Sequence, residues 1–80
     1  VAAAGKVVYD RAADAAYVYL QKIGKGQAVR QQEVEPGIVA DFDAEGRLLG
    51  LEVLDASRRL APEVLAGAED GASRTTRRAR

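Results

Sequence analysis

The sequence contains neither cysteine nor histidine. Without cysteine the chain can form no disulfide and no thiolate metal site. Without histidine it lacks the usual zinc ligand and the side chain that most often acts as a general base near neutral pH. Ser57, Thr75 and Thr76 therefore have no histidine or cysteine partner, which excludes nucleophilic catalysis of the triad type.

Long apolar runs are missing as well. No segment approaches the roughly 20 apolar residues that span a bilayer. The small residues from Val1 to Gly5 lack the basic segment that precedes the apolar part of a secretory signal. No glycine-rich phosphate loop is present, because "GKG" (Gly24 to Gly26) lacks the flanking strand and helix. We therefore expect a cytoplasmic protein that does not bind a membrane.

Acidic residues are absent from the end of the chain. Residues 71–80 carry four arginines and no acid, whereas residues 1–70 carry eight basic and twelve acidic side chains, a net of −4. Eighty residues allow one small core, so association with another chain would be a natural way to bury more apolar surface. We predict a flexible start over residues 1–5, a single domain over 6–67 and a disordered basic tail over 68–80.

Five segments have the composition of short strands, joined by segments with the residues of tight turns. Asp10 is suited to cap a short helical turn after the first strand. The third strand is polar enough to be an edge. Turns are predicted at "GKG", at Pro36-Gly37 and at Asp43 to Gly46. The strands are "KVVYD" (6–10), "AYVYLQKI" (16–23), "QAVRQQEVE" (27–35), "IVADF" (38–42) and "RLLGLEVL" (47–54).

The apolar period changes after the fifth strand. Asp55 or Ser57 can cap a helix, and Pro62 can open one at its first turn. An apolar stripe follows, formed by Leu60, Val64 and Leu65. The fold class predicted is α+β: a small antiparallel β-meander of about five strands, a short helical turn after strand 1, and a C-terminal helix packed on one face. Two of the strands are apolar on both faces, more than one helix can cover.

Two blocks of the sequence resemble a family of very short bacterial and archaeal proteins of unknown function. The first is "YDRAADAAYV" (9–18), which fills the pattern Y-D-x-x-A-D-x-x-Y-[IV]. The second is "DFDAEGRLLGLEVLDAS" (41–57), which fills D-x-D-x-x-G-x-[LV]-x-G-[IL]-E-[IV]-L-D-A-S. The resemblance implies a small antiparallel sheet with helical additions, and it brings no activity or catalytic residue. The resemblance also implies that the protein could be one partner of a toxin–antitoxin-like pair, as is suspected for some members of the family.

The fixed positions of these blocks are the candidate structural motif, and most of them have two interpretations. Asp41, Asp43 and Glu52 are candidate metal ligands, but the pattern lacks the later ligands of a calcium loop, which favours a turn cap and a charged edge. Asp10 and Asp14 could be paired acid/base groups, but capping of loop N–H groups together with Asp55 is favoured. The motif residues are Tyr9, Asp10, Asp14, Tyr17, Asp41, Asp43, Gly46, Gly50, Glu52, Asp55 and Ser57.

Three functional hypotheses follow, none with a cofactor. The leading one is a non-enzymatic interaction module that pairs with a second copy, as a homodimer, or with another small protein. An alternative is weak nucleic-acid binding through the tail, by Arg74, Arg77, Arg78 and Arg80, with Tyr9, Tyr17 and Tyr19 as a stacking platform. The other alternative is a metal-assisted enzyme that uses the three candidate ligands.

Overall fold

The computed structural model of the chain describes residues 5–71. Within this range the protein has six strands and two short helices. The strands are β1 (Lys6–Asp10), β2 (Ala15–Tyr19), β3 (Arg30–Glu35), β4 (Ile38–Phe42), β5 (Leu48–Leu54) and β6 (Glu69–Asp70). The helices are α1 (Ala56–Arg59) and α2 (Pro62–Ala66). An α+β fold built on a sheet is thus confirmed.

The sheet has the order β3-β4-β5-β2-β1-β6. The predicted meander is wrong at one connection, because β2 pairs with β5 and not with β3. Residues 20–29, which include the "GKG" of the predicted hairpin turn, form a crossover between β2 and β3 instead. Alternation of apolar residues specifies the two faces of a strand but not its partner, which explains the error. The sheet is also mixed, since β6 runs parallel to β1.

The predicted helices differ from those observed. Residues 11–14 form a turn and not a helical segment, and this turn ends at Asp14 in the left-handed region with φ of 50°. The single C-terminal helix is replaced by α1 and α2, because Ala61 is extended with ψ of 144° before Pro62. A residue before proline is sterically excluded from the helical region, so the proline starts a new helix.

Two predicted turns are present. Pro36 and Gly37 join β3 to β4, and Gly37 has φ of 88°, which only glycine adopts cheaply. Gly46 closes the turn between β4 and β5, where its N–H donates to the carbonyl of Asp43 at 3.0 Å. These turns set the register of the β3–β4–β5 meander.

Residues that pair across neighbouring strands share one face of the sheet, which defines two faces. The helix face carries Ala16 and Val53, which pack with Ala56 of α1 to form the core cluster, joined by Leu60 and by Leu65 of α2. The tyrosine face carries Tyr17, Asp41 and Gly50 among others. Leu49 is the one large side chain that is fully buried within residues 5–71. The covered core is therefore small.

The two edges of the sheet are guarded. Every residue of β3 is exposed, and its pairing with β4 is interrupted by an irregularity between Glu33 and Glu35. The other edge is β6, two acidic residues that the sequence analysis assigns to the tail. Charges, bulges and short strands at an edge all oppose pairing with another sheet. Neither helix of the described chain has the length or apolar character needed to cross a bilayer.

Candidate functional site

Asp14 ties the β1–β2 turn to the start of α1. Its Oδ1 accepts hydrogen bonds from the Tyr9 hydroxyl at 2.8 Å and from the Ser57 N–H at 2.9 Å. Its Oδ2 accepts from the Ser57 hydroxyl at 2.8 Å, and its backbone carbonyl accepts from the Ala56 N–H at 3.0 Å. Both carboxylate oxygens are therefore occupied by donors from two distant parts of the chain.

The electrostatics of this cluster follow from its hydrogen bonds. The Ser57 hydroxyl, and then the Tyr9 hydroxyl, stabilise the charged form of Asp14, so its pKa lies below the ordinary value of 3.8. The hydrogen bond to Asp14 raises the pKa of Tyr9 above 10.0, because losing the proton would break it. The cluster has no group that is poised to exchange protons near neutral pH.

Asp10 and Asp43 cap their own turns. Asp10 Oδ1 accepts from the N–H groups of Ala12 at 2.9 Å and Ala13 at 3.3 Å. Asp43 Oδ1 accepts from the N–H groups of Glu45 and Arg47, each at 2.9 Å, and its Oδ2 accepts from Arg47 Nε at 3.0 Å. The backbone bond from Arg47 is the largest cause that lowers the pKa of Asp43 below 3.8. These are turn-capping contacts of the kind that the spacing predicts.

The predicted caps of the C-terminal helix are not made. Asp55 stands at the N-cap of α1 in the left-handed region, with φ of 55°, but its side chain accepts no capping hydrogen bond from a helix N–H. Its Oδ2 instead accepts from Arg58 Nη2 of α1 at 3.4 Å. The hydroxyl of Ser57 is used by Asp14, so it does not cap α1 either. Tertiary contact outweighs local capping here.

A second tyrosine–aspartate pair lies on the tyrosine face. The hydroxyl of Tyr17 donates to Oδ2 of Asp41 at 2.5 Å, and the two residues are 3% and 7% exposed. A Cβ at position 50 would lie 2.6 Å from Tyr17 Oη and 2.8 Å from the Val18 carbonyl oxygen. Position 50 must therefore be glycine for the phenol to reach Asp41.

The other oxygen of Asp41 has no partner. Its Oδ1 is buried, and no hydrogen bond to it is present. A buried carboxylate is costly unless its oxygens are paired, so an unpaired one needs an explanation. Asp41 borders an open groove of about 510 Å³, which we call the tyrosine-face groove. Its lining residues are Tyr17, Tyr19, Ile23, Ala28, Val29, Arg30, Gln31 and Asp41.

The candidate metal ligands do not come together. Within residues 5–71, no group of three or more carboxylates is placed to hold a metal ion. Asp43 is turned to its own hairpin loop, and Asp41 is paired with Tyr17. Glu52 is half-buried on the tyrosine face and has interactions of its own. The geometry gives no support to the metal-assisted hypothesis.

The three tyrosines do not form one platform. Tyr9 lies on the helix face, whereas Tyr17 and Tyr19 lie on the other face with their ring centroids 4.6 Å apart, edge to face. Tyr17 is too deeply buried to stack on a base. The Nζ of Lys6 lies over the ring of Tyr19, 5.4 Å from the ring centroid, in a cation–π contact. The four arginines of the tail lie outside the described residues.

Sequence reasoning missed the pairing of Tyr17 with Asp41, because the two residues are 24 positions apart and their strands are not neighbours. Gly50 is the signal in the sequence that could have indicated this pairing, because a glycine inside an apolar strand contributes no side chain to the packing. Glycine within a strand often marks the close approach of another group. Here that group is the tyrosine ring.

The comparison with protein families gives a match, whereas those with curated proteins and solved structures give none. No curated protein and no solved structure matches the chain. A family model, described as a protein of unknown function (DUF2283), matches residues 6–57, which include both sequence blocks and strands β1 to β5. The protein therefore belongs to the DUF2283 family.

Proposed function

We propose that the protein is a non-enzymatic interaction module of the cytoplasm whose helix face is completed by a second copy of the same chain. The observation that carries this proposal is a group of apolar side chains on the helix face that the helices leave uncovered. We call it the apolar patch; it consists of Val18, Leu20, Phe42 and Leu51.

The position of the patch follows from the register. Val18 pairs with Leu51, and Leu51 pairs with Ala40. Leu20 and Phe42 lie two residues after Val18 and Ala40, so alternation places them on the same face. None of the four belongs to the core cluster under the helices, and Leu20 is 40% exposed. The helices pack on the part of the face around Ala16 and Val53, and Val64 of α2 reaches only the border of the patch, beside Val18 and Leu20. This position differs from the second face that the apolar strands predict.

A second copy is the occupant that the surroundings favour. Contiguous exposed apolar surface on a small domain marks an interaction site. Next to Phe42, the carboxylate of Asp43 is paired with Arg47, which also contacts Glu45, so the charges at the border of the patch would not repel those of an identical chain. The guarded edges oppose strand addition, which leaves pairing of faces as the mode of assembly. Another small protein on the patch would leave the isolated chain monomeric.

The test compares two exposed leucines on opposite faces of the sheet. Leu20 lies in the patch and is 40% exposed, whereas Leu54 pairs with Ala15 on the tyrosine face and is 46% exposed. Sedimentation equilibrium should show a dimer for the unmodified chain at about 100 µM. Leu20→Glu should weaken dimerisation at least about 30-fold, and Leu54→Glu should leave it unchanged. A monomer at all concentrations, or equal effects of the two substitutions, would contradict the proposal.

A further inference from the structure

The tyrosine-face groove has the features of a small-molecule site and lies on the opposite side of the sheet from the apolar patch. Its volume of about 510 Å³ is within the range of ligand pockets. Its wall combines apolar side chains of the crossover, Ile23 and Val29, with the carboxylate of Asp41. Apolar walls with one or a few fixed polar groups are typical of such sites.

Asp41 supplies the polar recognition. It is more than nine-tenths buried, Tyr17 satisfies Oδ2, and Oδ1 has no partner. A hydrogen-bond donor with a positive charge would satisfy Oδ1 and neutralise the carboxylate together. A lone carboxylate cannot provide the several oxygen ligands that calcium or magnesium requires. The fitting partner is therefore a nitrogen cation.

The hydrogen bond from Tyr17 selects among nitrogen cations. A guanidinium binds a carboxylate best through two parallel N–H donors, one to each oxygen. Oδ2 already accepts from Tyr17, so only one oxygen remains. An ammonium is a compact charge that needs only one acceptor at this position. The free oxygen thus favours a primary ammonium over a guanidinium.

Neighbouring cations do not fill this position. Arg30 is among the residues that line the groove, but its guanidinium lies over the ring of Phe42, 4.1 Å from the centroid, and makes no hydrogen bond to Asp41 Oδ1. Lys6 lies over the ring of Tyr19 and is 3.8 Å from Glu69. The charge of Arg30 is therefore engaged by Phe42, and that of Lys6 is partly neutralised.

We propose that the tyrosine-face groove binds a protonated primary amine, whose ammonium donates to Asp41 Oδ1 and whose aliphatic chain lies against Ile23 and Val29. Because Oδ1 is buried, the amine must part the lining side chains to reach it. The crossover can yield, since the backbone bonds to the sheet are at its ends: Leu20 N–H to Leu49 and Val29 N–H to Phe42.

The first experiment is a titration of the full chain followed by ¹⁵N NMR. Hexylammonium should cause saturable shifts at groove residues such as Val29 and Gln31, and neutral 1-hexanol should bind at least about tenfold more weakly. Asp41→Asn should lower the hexylammonium affinity at least about tenfold. The matched control, Asp55→Asn, alters an exposed carboxylate elsewhere and should leave the affinity unchanged. Leu20→Glu should leave it unchanged too, which separates this site from the dimer.

A second variant keeps the proposal testable if Asp41→Asn fails to fold. Tyr17→Phe frees Oδ2, so the affinity for butylguanidinium relative to hexylammonium should rise about fivefold. Nα-acetyl-lysine N-methylamide distinguishes the source of the amine: binding equal to that of hexylammonium indicates a lysine side chain, and weaker binding a free alkylamine. Equal binding of hexanol and hexylammonium, unchanged affinity in Asp41→Asn, or unchanged selectivity in Tyr17→Phe would overturn the proposal.

Discussion

Asp14 and Asp41 are both aspartates that accept a hydrogen bond from a tyrosine, but their surroundings differ. Asp14 is half-buried, and both of its oxygens are used by Tyr9 and Ser57. Asp41 is buried, and one of its oxygens has no partner. One tyrosine–aspartate pair thus connects the β1–β2 turn to α1, and the other borders the tyrosine-face groove.

The difference concerns stability and function. A carboxylate whose oxygens all accept hydrogen bonds stabilises the fold in its charged form. A buried carboxylate with an unpaired oxygen costs free energy in the absence of a partner. Asp14 should therefore contribute to folding, whereas Asp41 should lower stability while leaving one oxygen for the amine that we propose it binds. Residues kept at a cost to stability are candidates for function.

Gly50→Ala should have the largest effect on stability, because the added methyl group displaces Tyr17 from its hydrogen bond with Asp41. The added methyl group would lie 2.6 Å from the Tyr17 hydroxyl and 2.8 Å from a backbone oxygen, so both the ring and the strand must shift. We expect a loss of about 3 kcal/mol or more in the free energy of unfolding. Urea denaturation measures it.

The matched control is Gly67→Ala at the end of α2, where the nearest atom to an added Cβ is 3.8 Å away and φ is −91°. Its free energy of unfolding should change by less than about 0.5 kcal/mol. If Gly50→Ala were equally mild, Tyr17 would not be held over position 50, and the pairing with Asp41 would lose its structural basis.

The two aspartate-to-asparagine changes should differ in their effect on stability: Asp14→Asn should lower it, and Asp41→Asn should not. Asp14→Asn keeps a residue that tolerates the left-handed backbone but replaces one acceptor oxygen with an NH₂ group, so the melting temperature should fall by several degrees. Asp41→Asn keeps an acceptor for Tyr17 and removes the buried charge. It should leave the free energy of unfolding unchanged or raise it by up to about 1 kcal/mol. Thermal melts at pH 7 compare them, and a fall for both would remove the contrast.

The acid sensitivity of stability should depend on Asp14 and its partner Ser57. The pKa values of Asp14 and Asp43 are depressed in the folded state, so their stabilising effect is present above the unfolded value of 3.8 and is lost as pH falls through the folded values. The free energy of unfolding should decrease from about pH 4 downward. Ser57→Ala removes the hydrogen bond that contributes most to the lowered pKa of Asp14. The free energy of unfolding of this variant should therefore fall slightly less steeply with decreasing pH. Urea midpoints between pH 7 and pH 2 give the slopes.

Local features of the fold could be predicted from the sequence because short-range chemistry determines them. Glycine at positions 37 and 46 permits positive φ and marks two turns. Asp10 and Asp43 stand where their carboxylates reach N–H groups two to four residues ahead. Pro62 starts a helix but also excludes Ala61 from one, and that second effect was not anticipated.

Long-range pairing could not be predicted in the same way. The apolar alternation of β5 is compatible with any neighbour, and "GKG" has the composition of a hairpin turn although it lies in a crossover. The resemblance to the family implied a sheet but not its strand order. The contacts of Tyr17 with Asp41 and of Asp14 with Ser57 depend on that order. The sequence therefore singled out Tyr17, Asp41 and Gly50 as motif positions, but it predicted neither their arrangement nor the groove residues Ile23 and Val29.

The strand order also has a consequence for folding. The β1–β2 hairpin and the β3–β4–β5 meander each consist of neighbours in sequence, and they meet along a single seam between β2 and β5. Local hairpins form quickly, whereas joining them requires closure of the intervening chain. The bonds from Tyr17 to Asp41 and from Ser57 to Asp14 both cross this seam. The side chains of the two sequence blocks therefore add two contacts across the seam to the backbone pairing of β2 with β5.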